Sequence, residues 1–239
     1  MKGLILAAGK GSRIAAISEG TPKSMLPLGN TTLIGQSLSH FEDLGIQDLV
    51  MSVGYKRHVL QDHVKGLWPH KPEFVFNPHF DTTNVLYSFW LALPFIGDND
   101  FVFLHADTVF SKEVLNRVAQ HDCNADFVFA VDDHPCEEEE MKVLVKDGLV
   151  THVNKQMQPD TCQGEFLGLA RVSARMVPLL REVAEATFED GGFQSFFEVA
   201  VQTLIDAGKA KVEICDVTGL PWREVDFPED YEAARAFFD

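Results

Sequence analysis

The chain has 239 residues, of which 46% are hydrophobic and 23% are charged, a balance typical of globular proteins that excludes wholesale disorder. Acidic residues (36) outnumber Lys and Arg (20), and the net charge of −16 argues against non-specific binding to nucleic acid or anionic membranes, since both need a positive surface. The four cysteines are scattered without a C-x-x-C pair, which argues against a zinc knuckle, a redox dithiol and a disulfide framework.

Strand-like and helix-like segments alternate along the first half of the chain, as expected of an α/β domain with a largely parallel sheet. Apolar residues at helical spacing predict one helix that begins near Leu33 and stops at Gly45, and another that begins at Val85 and ends at Pro94. Short apolar runs predict strands at 4–6, 48–53, 73–76, 101–104 and 125–131.

The pattern changes after residue 135. Two strand-like runs flank Asp147-Gly148, a pair that favours a tight hairpin turn with positive φ. These elements, without an internal repeat or a linker, predict one domain whose second half adds antiparallel strands. The predicted order continues with a strand near 166–170, helices near 174–187 and 193–207, a strand at 211–215 and a helix opened by Pro228.

The N-terminal apolar run is too short for a signal peptide, and no segment approaches the roughly 20 apolar residues of a membrane span. Together with four cysteines expected to stay reduced, this predicts a cytoplasmic protein.

The turn after the first predicted strand, residues 7–13, is rich in small residues and carries two cations. Small residues let backbone N–H groups approach an anion. The turn is not a Walker A loop, which would need glycine at Leu4 and Ser or Thr at Gly11, and Ile14 replaces the third glycine of a dinucleotide fingerprint. An ordinary strand-to-helix turn that uses glycine only for its geometry stays open as an alternative.

Local charge favours an anionic ligand. Residues 1–30 hold four Lys or Arg residues against one Glu, a net charge of +3, so the other 209 residues carry −19 to give the total of −16. A basic, glycine-rich turn at a strand end of so acidic a chain predicts a bound anion, with phosphate as the leading candidate.

Two segments here resemble the signature of the nucleoside triphosphate transferase family, which includes sugar-1-phosphate nucleotidylyltransferases and bacterial choline-phosphate cytidylyltransferases. They are L-A-A-G-x-G-S-R at 6–13 and T-P-K-S-M-L-P-L at 21–28. The segment T-T-N-V-L-Y-S at 82–88 is similar to the choline-phosphate branch. The resemblance implies a single α/β domain over 1–239, a Rossmann-like mixed sheet flanked by helices, with a nucleotide-binding half (about 1–134) and an acceptor-binding half (about 135–239).

The family's reaction is a Mg²⁺-dependent displacement, so the resemblance implies Mg²⁺ as the cofactor. The acceptor phosphate attacks the α-phosphorus of the nucleotide and pyrophosphate leaves; because the acceptor is already an anion, positioning and charge neutralisation matter more than a side-chain nucleophile. The resemblance assigns metal binding to Asp107, just after the strand at 101–104, and to Asp226. A turn or capping role is the alternative for both carboxylates.

The resemblance also implies a predicted catalytic set, with Arg13 and Lys23 on the triphosphate and Lys155 on the acceptor phosphate. Two kinds of acceptor head group stay open. An ammonium group would bind to carboxylates, whereas a trimethylammonium group would favour a cage of aromatic side chains. For Lys142 and Lys155, the alternative is that both are solvated charges on the predicted hairpin. The predicted acceptor-binding residues are Lys142, Glu165, Glu198 and Trp222.

A base pocket is expected over the turn, where amide and hydroxyl groups suit the donor and acceptor edges of cytosine, so CTP is favoured over UTP or dTTP. Helix capping by Thr82 or Thr83 is the alternative. The predicted nucleotide-binding residues are Leu6, Ala7, Ala8, Gly9, Gly11, Ser12, Asn77, Thr83, Asn84 and Ser88.

The sequence therefore predicts a cytidylyltransferase that transfers CMP from CTP to phosphocholine or a related amino-alcohol phosphate or phosphonate. A sugar- or inositol-phosphate nucleotidylyltransferase and a non-catalytic nucleotide-binding module are the alternatives. The expected partners are CTP and a small phosphorylated acceptor, with no nucleic acid and no membrane insertion, and a homodimer is left open. The nine histidines, His105 among them, show no metal-ligand spacing, and the acidic run 137–140 is expected to be solvated.

Overall fold

The computed structural model describes residues 1–238, in which a central sheet is covered by helices on both faces. None of the helices in this range is long and apolar enough to cross a membrane. The helices are α1 (Ala15–Ser18), α2 (Leu33–Asp43), α3 (Arg57–Leu67), α4 (Val85–Ile96), α5 (Lys112–Gln120), α6 (Val177–Glu189), α7 (Phe197–Asp206) and α8 (Pro228–Phe238). The strands are β1 (Lys2–Ala7), β2 (Pro27–Leu28), β3 (Thr31–Thr32), β4 (Leu49–Val53), β5 (Glu73–Phe76), β6 (Phe101–His105), β7 (Thr108–Phe110), β8 (Phe127–Asp132), β9 (Lys142–Lys146), β10 (Leu149–Asn154), β11 (Gly164–Val172), β12 (Val212–Asp216) and β13 (Trp222–Glu224).

The large sheet has the strand order β5-β4-β1-β6-β11-β8-β12-β10-β9. Strands β5, β4, β1 and β6 run parallel, and β8 and β12 are parallel to each other, while β11 runs antiparallel between β6 and β8. The mixed α/β sheet that the sequence predicted is confirmed. As a result, the carboxyl ends of β1, β4, β5, β6 and β8 share one edge of the sheet with the start of β11.

The core lies on both faces of the sheet. Side chains alternate along each central strand, so Leu4 and Phe103 pack toward α4, α6 and α7, whereas Ile5 and Leu104 pack toward α2, α3 and α5. Because both faces are covered, the strands are almost continuously apolar, which explains why short apolar runs located them in the sequence.

The structure tests the predicted hairpin turn at 147–148 and the predicted end of the helix at Pro94. The turn of the β9–β10 hairpin is confirmed, with positive φ at Asp147 (53°) and Gly148 (80°). The expectation that Pro94 ends a helix is wrong, since α4 continues to Ile96 and stops at Gly97, whose φ is 62°. Proline in the last turn removes only one terminal hydrogen bond, and the fully buried Ile96 side chain keeps that turn packed.

The sequence did not predict α3 or α5, nor the antiparallel ribbon of β7 and β13. Helix α3 buries only Leu60 and Val64, so its apolar stripe is narrow and easily overlooked. The ribbon depends on a pairing between segments far apart in the chain, Thr108 opposite Glu224, which short-range patterns do not contain.

Replacing Phe103 tests the aromatic core. The ring is fully buried, with its centroid 4.5 Å from that of Phe197 and 5.5 Å from that of Phe89. Phe103→Ala should lower the free energy of unfolding by about 3–5 kcal/mol, measured by urea denaturation, because a cavity replaces the ring. Phe237→Ala, at a position that is 61% exposed, should change it by less than about 0.5 kcal/mol. Equal losses in the two variants would contradict this view of the core.

Candidate active site

Polar residues collect at the edge of the sheet where the parallel strands end. Asp107 follows β6 by two residues, Asn77 follows β5 directly, and the glycine-rich turn follows β1. Ligands of open α/β sheets bind outside the carboxyl ends of the strands, so this edge is the candidate site.

An ion cluster forms the centre of the site. The Nζ atom of Lys23 lies 2.6 Å from Oδ2 of Asp107 and 2.8 Å from Oδ1 of Asp226, while Nη1 of Arg13 lies 2.7 Å from Oδ2 of Asp226. Burial disfavours the lysine charge, but attraction by the two carboxylates outweighs it and raises the pKa of Lys23 above its ordinary value. The pKa of Asp107 is lowered, since Lys23 and His105 outweigh its burial.

The glycine-rich turn packs directly against Lys23. Gly11 has a φ of 60°, and a Cβ atom placed there would lie only 2.8 Å from Cβ of Lys23, so both the backbone angle and the space require glycine. A Cβ at Gly54 would lie 2.5 Å from the carbonyl oxygen of Ala8, so the turn is also approached closely from β4. Of the predicted turn residues, Leu6 and Ala8 are buried, Ala7 and Gly11 half-buried, and Gly9 and Ser12 exposed.

The β7–β13 ribbon brings Asp226 to Asp107. Glu224 pairs with Thr108 across the ribbon, and the backbone N–H of Val225 donates to the carbonyl oxygen of Asp107 at 2.9 Å. The side chain of Asp230 then accepts from the N–H of Asp226 at 3.2 Å, which holds the start of α8 beside the site. Two carboxylates that are distant in sequence are thereby held on one lysine.

Two further residues of the site were missed in the sequence. His105, Asp107 and Glu224 each place one potential ligand atom within 4.8 Å of the others. Glu224 is exposed as a residue, but the protein packed around its carboxylate and the charges of Asp107 and Asp226 raise its pKa to about 7. His105, which shows no metal-ligand spacing in the sequence, thus lies beside Asp107 and Glu224 in the fold. A usable signal existed for Glu224, because the E-x-D spacing puts it on the same side of an extended strand as Asp226.

The acceptor half contributes one cation and two buried carboxylates. Nζ of Lys155 lies 5.3 Å from the ring centroid of Phe196, and its charge acts on Glu165, Glu198 and Glu224. Burial and neighbouring acidic groups raise the pKa of Glu165 to about 9, and burial raises that of Glu198. Within residues 1–238, Oε2 of Glu198 has no hydrogen-bond partner. Among the residues that the structure describes, neither carboxylate forms an ion pair with Lys or Arg, and the nearby charge of Lys155 does not offset their burial.

Lys142 occupies a different environment from the one predicted. Its side chain is fully buried, and Nζ donates to the carbonyl oxygens of Glu138 (2.7 Å), Lys155 (3.0 Å) and Glu140 (3.1 Å). These bonds use all three donors of the ammonium group, so Lys142 fastens the acidic loop to the hairpin and we do not place it in the acceptor site. The side chains of Glu137, Glu138 and Glu139 are exposed, as expected of a solvated acidic run, and that of Glu140 is half-buried.

Trp222 lies at the side of the site, where its Nε1 donates to Oδ2 of Asp132 at 2.8 Å. It lines a surface cleft together with Asp132 and His134. Its indole is therefore fixed by a hydrogen bond to the end of β8.

The predicted base-pocket residues form a hydrogen-bonded group. Nδ2 of the buried Asn77 donates to Oγ1 of Thr83 at 3.1 Å and to Oγ of Ser88 at 3.0 Å, so both of its amide donors are used inside the protein. Asn84, rather than either threonine, caps α4 by accepting from the N–H of Val85 at 2.8 Å. The structure brings these residues together at the start of α4.

Residues 3–203 match the MobA-like NTP transferase domain. The chain belongs to this family. Since members of the family transfer nucleotidyl groups, this NTP transferase is an enzyme, and the resemblance drawn from its opening segments is confirmed.

Curated relatives align over almost all of this NTP transferase. CMP-5′-(3-aminopropyl)phosphonate synthase of Streptomyces rubellomurinus is 28% identical over 98% of the chain, which spans only 38% of that protein's length. CTP:phosphoglutamine cytidylyltransferase of Campylobacter jejuni is 21% identical over 97% of the chain and 98% of that protein. The solved structure of CTP:phosphocholine cytidylyltransferase from Streptococcus pneumoniae has the same fold, with a TM-score of 0.82 and 21% identity over 100% of this chain and 99% of that one.

The raised pKa of Glu165 predicts a pH-dependent stability. Its pKa is about 9 in the fold against an ordinary value of 4.5, so the folded protein retains a proton that the unfolded chain loses. The stabilisation from Glu165 is therefore complete below pH 4.5 and is lost as the pH rises toward 9. With a chelator present, Glu165→Gln should raise the free energy of unfolding at pH 8.5 by about 1–3 kcal/mol and have little effect near pH 4.5. An equal gain in the free energy of unfolding at both pH values would contradict the raised pKa of Glu165.

Proposed function

We propose that this NTP transferase is a cytidylyltransferase that transfers CMP from CTP to a small phosphate monoester or phosphonate carrying a cationic nitrogen, with release of pyrophosphate. The observation that carries the proposal is the convergence of Asp107 and Asp226 on the ammonium of Lys23 beside the glycine-rich turn. Nucleotidyl transfer needs cations for the triphosphate and carboxylates for a divalent ion, and both meet here.

The residues at the centre of the site fit a magnesium ion. Asp107, Asp226 and Glu224 offer carboxylate oxygens, the hard ligands that Mg²⁺ prefers. Besides desolvation, repulsion by Asp107 and Asp226 raises the pKa of Glu224, and a divalent cation among these groups would relieve that repulsion. We propose that Asp107 and Asp226 hold the ion with Glu224 beside them. When bound, Mg²⁺ neutralises phosphate charge and polarises the α-phosphoryl group.

The chain's own residues position the reactants. Arg13 and Lys23, with the backbone of the turn at 8–12, bind the triphosphate, and Lys155 orients the acceptor phosphate. An oxygen of that phosphate attacks the α-phosphorus, a new P–O bond forms, and the bond from the α-phosphorus to the bridging oxygen breaks to release pyrophosphate. Because the attacking oxygen is already anionic, no side chain has to remove a proton, and catalysis rests on positioning and charge.

The preference for cytosine is supported by the relatives, whose names specify CTP or CMP. We propose that Ala7 and Ala8 form the floor of the base site and that Thr83, Asn84 and Ser88 line its wall. The buried amide of Asn77 holds Thr83 and Ser88 in place through its two hydrogen bonds.

The acceptor's cationic nitrogen is inferred from Glu165 and Glu198. Both are buried with raised pKa values, and both interact with Lys155, the proposed phosphate ligand. An ammonium group would supply the missing positive charge and let the carboxylates ionise. An acceptor with phosphate at one end and a cation at the other suits this arrangement better than an uncharged sugar.

Removing the charge of either central carboxylate tests the catalytic site. Asp107→Asn and Asp226→Asn keep the side-chain volume and should each lower kcat for pyrophosphate release from CTP by at least about 100-fold, as losses of electrostatic stabilisation do. Asp43→Asn is a matched control at a surface ion pair with Lys112 and should retain wild-type activity. Near-normal turnover in either central variant would refute the metal assignment.

Substrate identity is tested by measuring pyrophosphate release from four nucleoside triphosphates paired with phosphocholine, phosphoethanolamine, 3-aminopropylphosphonate and glucose 1-phosphate. We expect release with CTP and amino-bearing acceptors. Glu198→Gln should raise KM for those acceptors by about tenfold or more while KM for CTP stays unchanged, since it removes a charge-assisted contact. Release only with glucose 1-phosphate would refute the cationic acceptor, and no release with any pair would favour a non-catalytic nucleotide-binding module.

A further inference from the structure

A second group of potential metal ligands lies away from the Lys23 cluster. His134, Cys136 and Glu140, all in the loop between β8 and β9, each place one ligand atom within 4.8 Å of the others. Nε2 of His134 is 3.7 Å from Oε2 of Glu140. The spacing H-x-C-x-x-x-E therefore gathers an imidazole, a thiol and a carboxylate on one short loop.

A fourth ligand comes from a different segment. Cys162, just before β11, lies near Cys136, and the two thiols influence each other's ionisation. Each thiol donates to a backbone carbonyl oxygen, Cys136 to that of His134 at 3.7 Å and Cys162 to that of Pro159 at 3.1 Å. Gly164 makes this approach possible, because a Cβ atom there would collide with the carbonyl oxygen of Asp132 at the end of β8. The backbone N–H of Gln163 also donates to the carbonyl oxygen of Val143 at 2.7 Å, which holds the segment against the loop.

The charges around these side chains favour a cation. Glu165, only 7% exposed, has its Oε2 3.7 Å from the same Nε2 of His134 that faces Glu140. Nδ1 of His134 is buried and has no hydrogen-bond partner within residues 1–238. One imidazole thus lies beside two carboxylates and the thiol of Cys136, an environment that is short of positive charge.

We propose that His134, Cys136, Glu140 and Cys162 bind a thiophilic divalent cation, with zinc as the expected ion. Zinc takes four ligands drawn from cysteine sulfur, histidine nitrogen and carboxylate oxygen. Three such ligand atoms lie within 4.8 Å of one another here, and Cys162, beside Cys136, offers the fourth. The two thiols make the site unlike the all-oxygen set at Asp107 and Asp226, so the two sites differ in the metal they select. Zinc here would join the β8–β9 loop to the start of β11, independently of the reaction proposed above.

The chain contains a natural comparison for this site. His121, Cys123 and Glu213 also place ligand atoms within 4.8 Å of one another. There, however, Nη2 of Arg171 donates to the sulfur of Cys123 at 3.3 Å, so a fixed positive charge already sits on the thiol. This charge would repel a metal ion.

The test uses the full chain, reduced with a phosphine, stripped with a chelator and titrated with ZnCl₂ in excess Mg²⁺. We expect one zinc per chain, and Co²⁺ in its place should give thiolate-to-cobalt charge-transfer absorption. Cys136→Ser and Cys162→Ser should each weaken zinc binding by about tenfold or more, as loss of a ligand from a four-ligand site requires, whereas Cys123→Ser should match the wild type.

A second measurement avoids any dependence on the folding of the variants. In the wild-type protein, zinc should slow alkylation of Cys136 and Cys162 by iodoacetamide, followed by mass spectrometry, and leave Cys123 unaffected. Failure to bind stoichiometric zinc, a cobalt spectrum without the charge-transfer band, or protection of Cys123 in place of the other two would overturn the proposal. None of these outcomes depends on the transferase reaction, so the two proposals fail separately.

Discussion

The ammonium of Lys23 is held between the carboxylates of Asp107 and Asp226, and this contact joins three distant parts of the chain. Lys23 comes from the basic opening segment, Asp107 from the end of β6 and Asp226 from the approach to α8. Partly buried charges of opposite sign stabilise one another only while all partners are present. The position of the glycine-rich turn, the β7–β13 ribbon and the C-terminal helix all follow from this arrangement.

Charge is distributed unevenly along the active edge of the sheet. Three charged groups lie in this region: the cations of the opening turn, the carboxylate cluster around Asp107 to which Arg13 is bonded through Asp226, and Lys155 with Glu165 and Glu198. A nucleotide and a zwitterionic acceptor laid along this edge would meet alternating complementary charges. Under the proposed function, these local groups would let a chain with a net charge of −16 bind two phosphate-bearing substrates.

Most of the central sheet was predictable because its strands are buried on both faces and therefore read as short apolar runs. The amphipathic helices α3 and α5 were not predicted. Helix α3 buries only Leu60 and Val64, and α5 has only nine residues, so the apolar stripe of each is short. Lys23, Asp107 and Asp226 were recognised from motifs, and the structure brings them together. Glu224 and His105 were missed because their proximity arises from the pairing of β13 with β7 and from the end of β6. The placement of Lys142 depends on three carbonyl groups that no sequence pattern reveals.

The position of β12 has a consequence for how the protein can be divided. The family match ends at residue 203, yet β12, at Val212–Asp216, is an interior strand that separates β8 from β10. A truncation at the limit of the match would expose two unpaired strand edges in the middle of the sheet, which is a known route to aggregation. It would also delete Asp226. Expression boundaries for this chain must therefore follow the sheet, and not the extent of the recognisable domain.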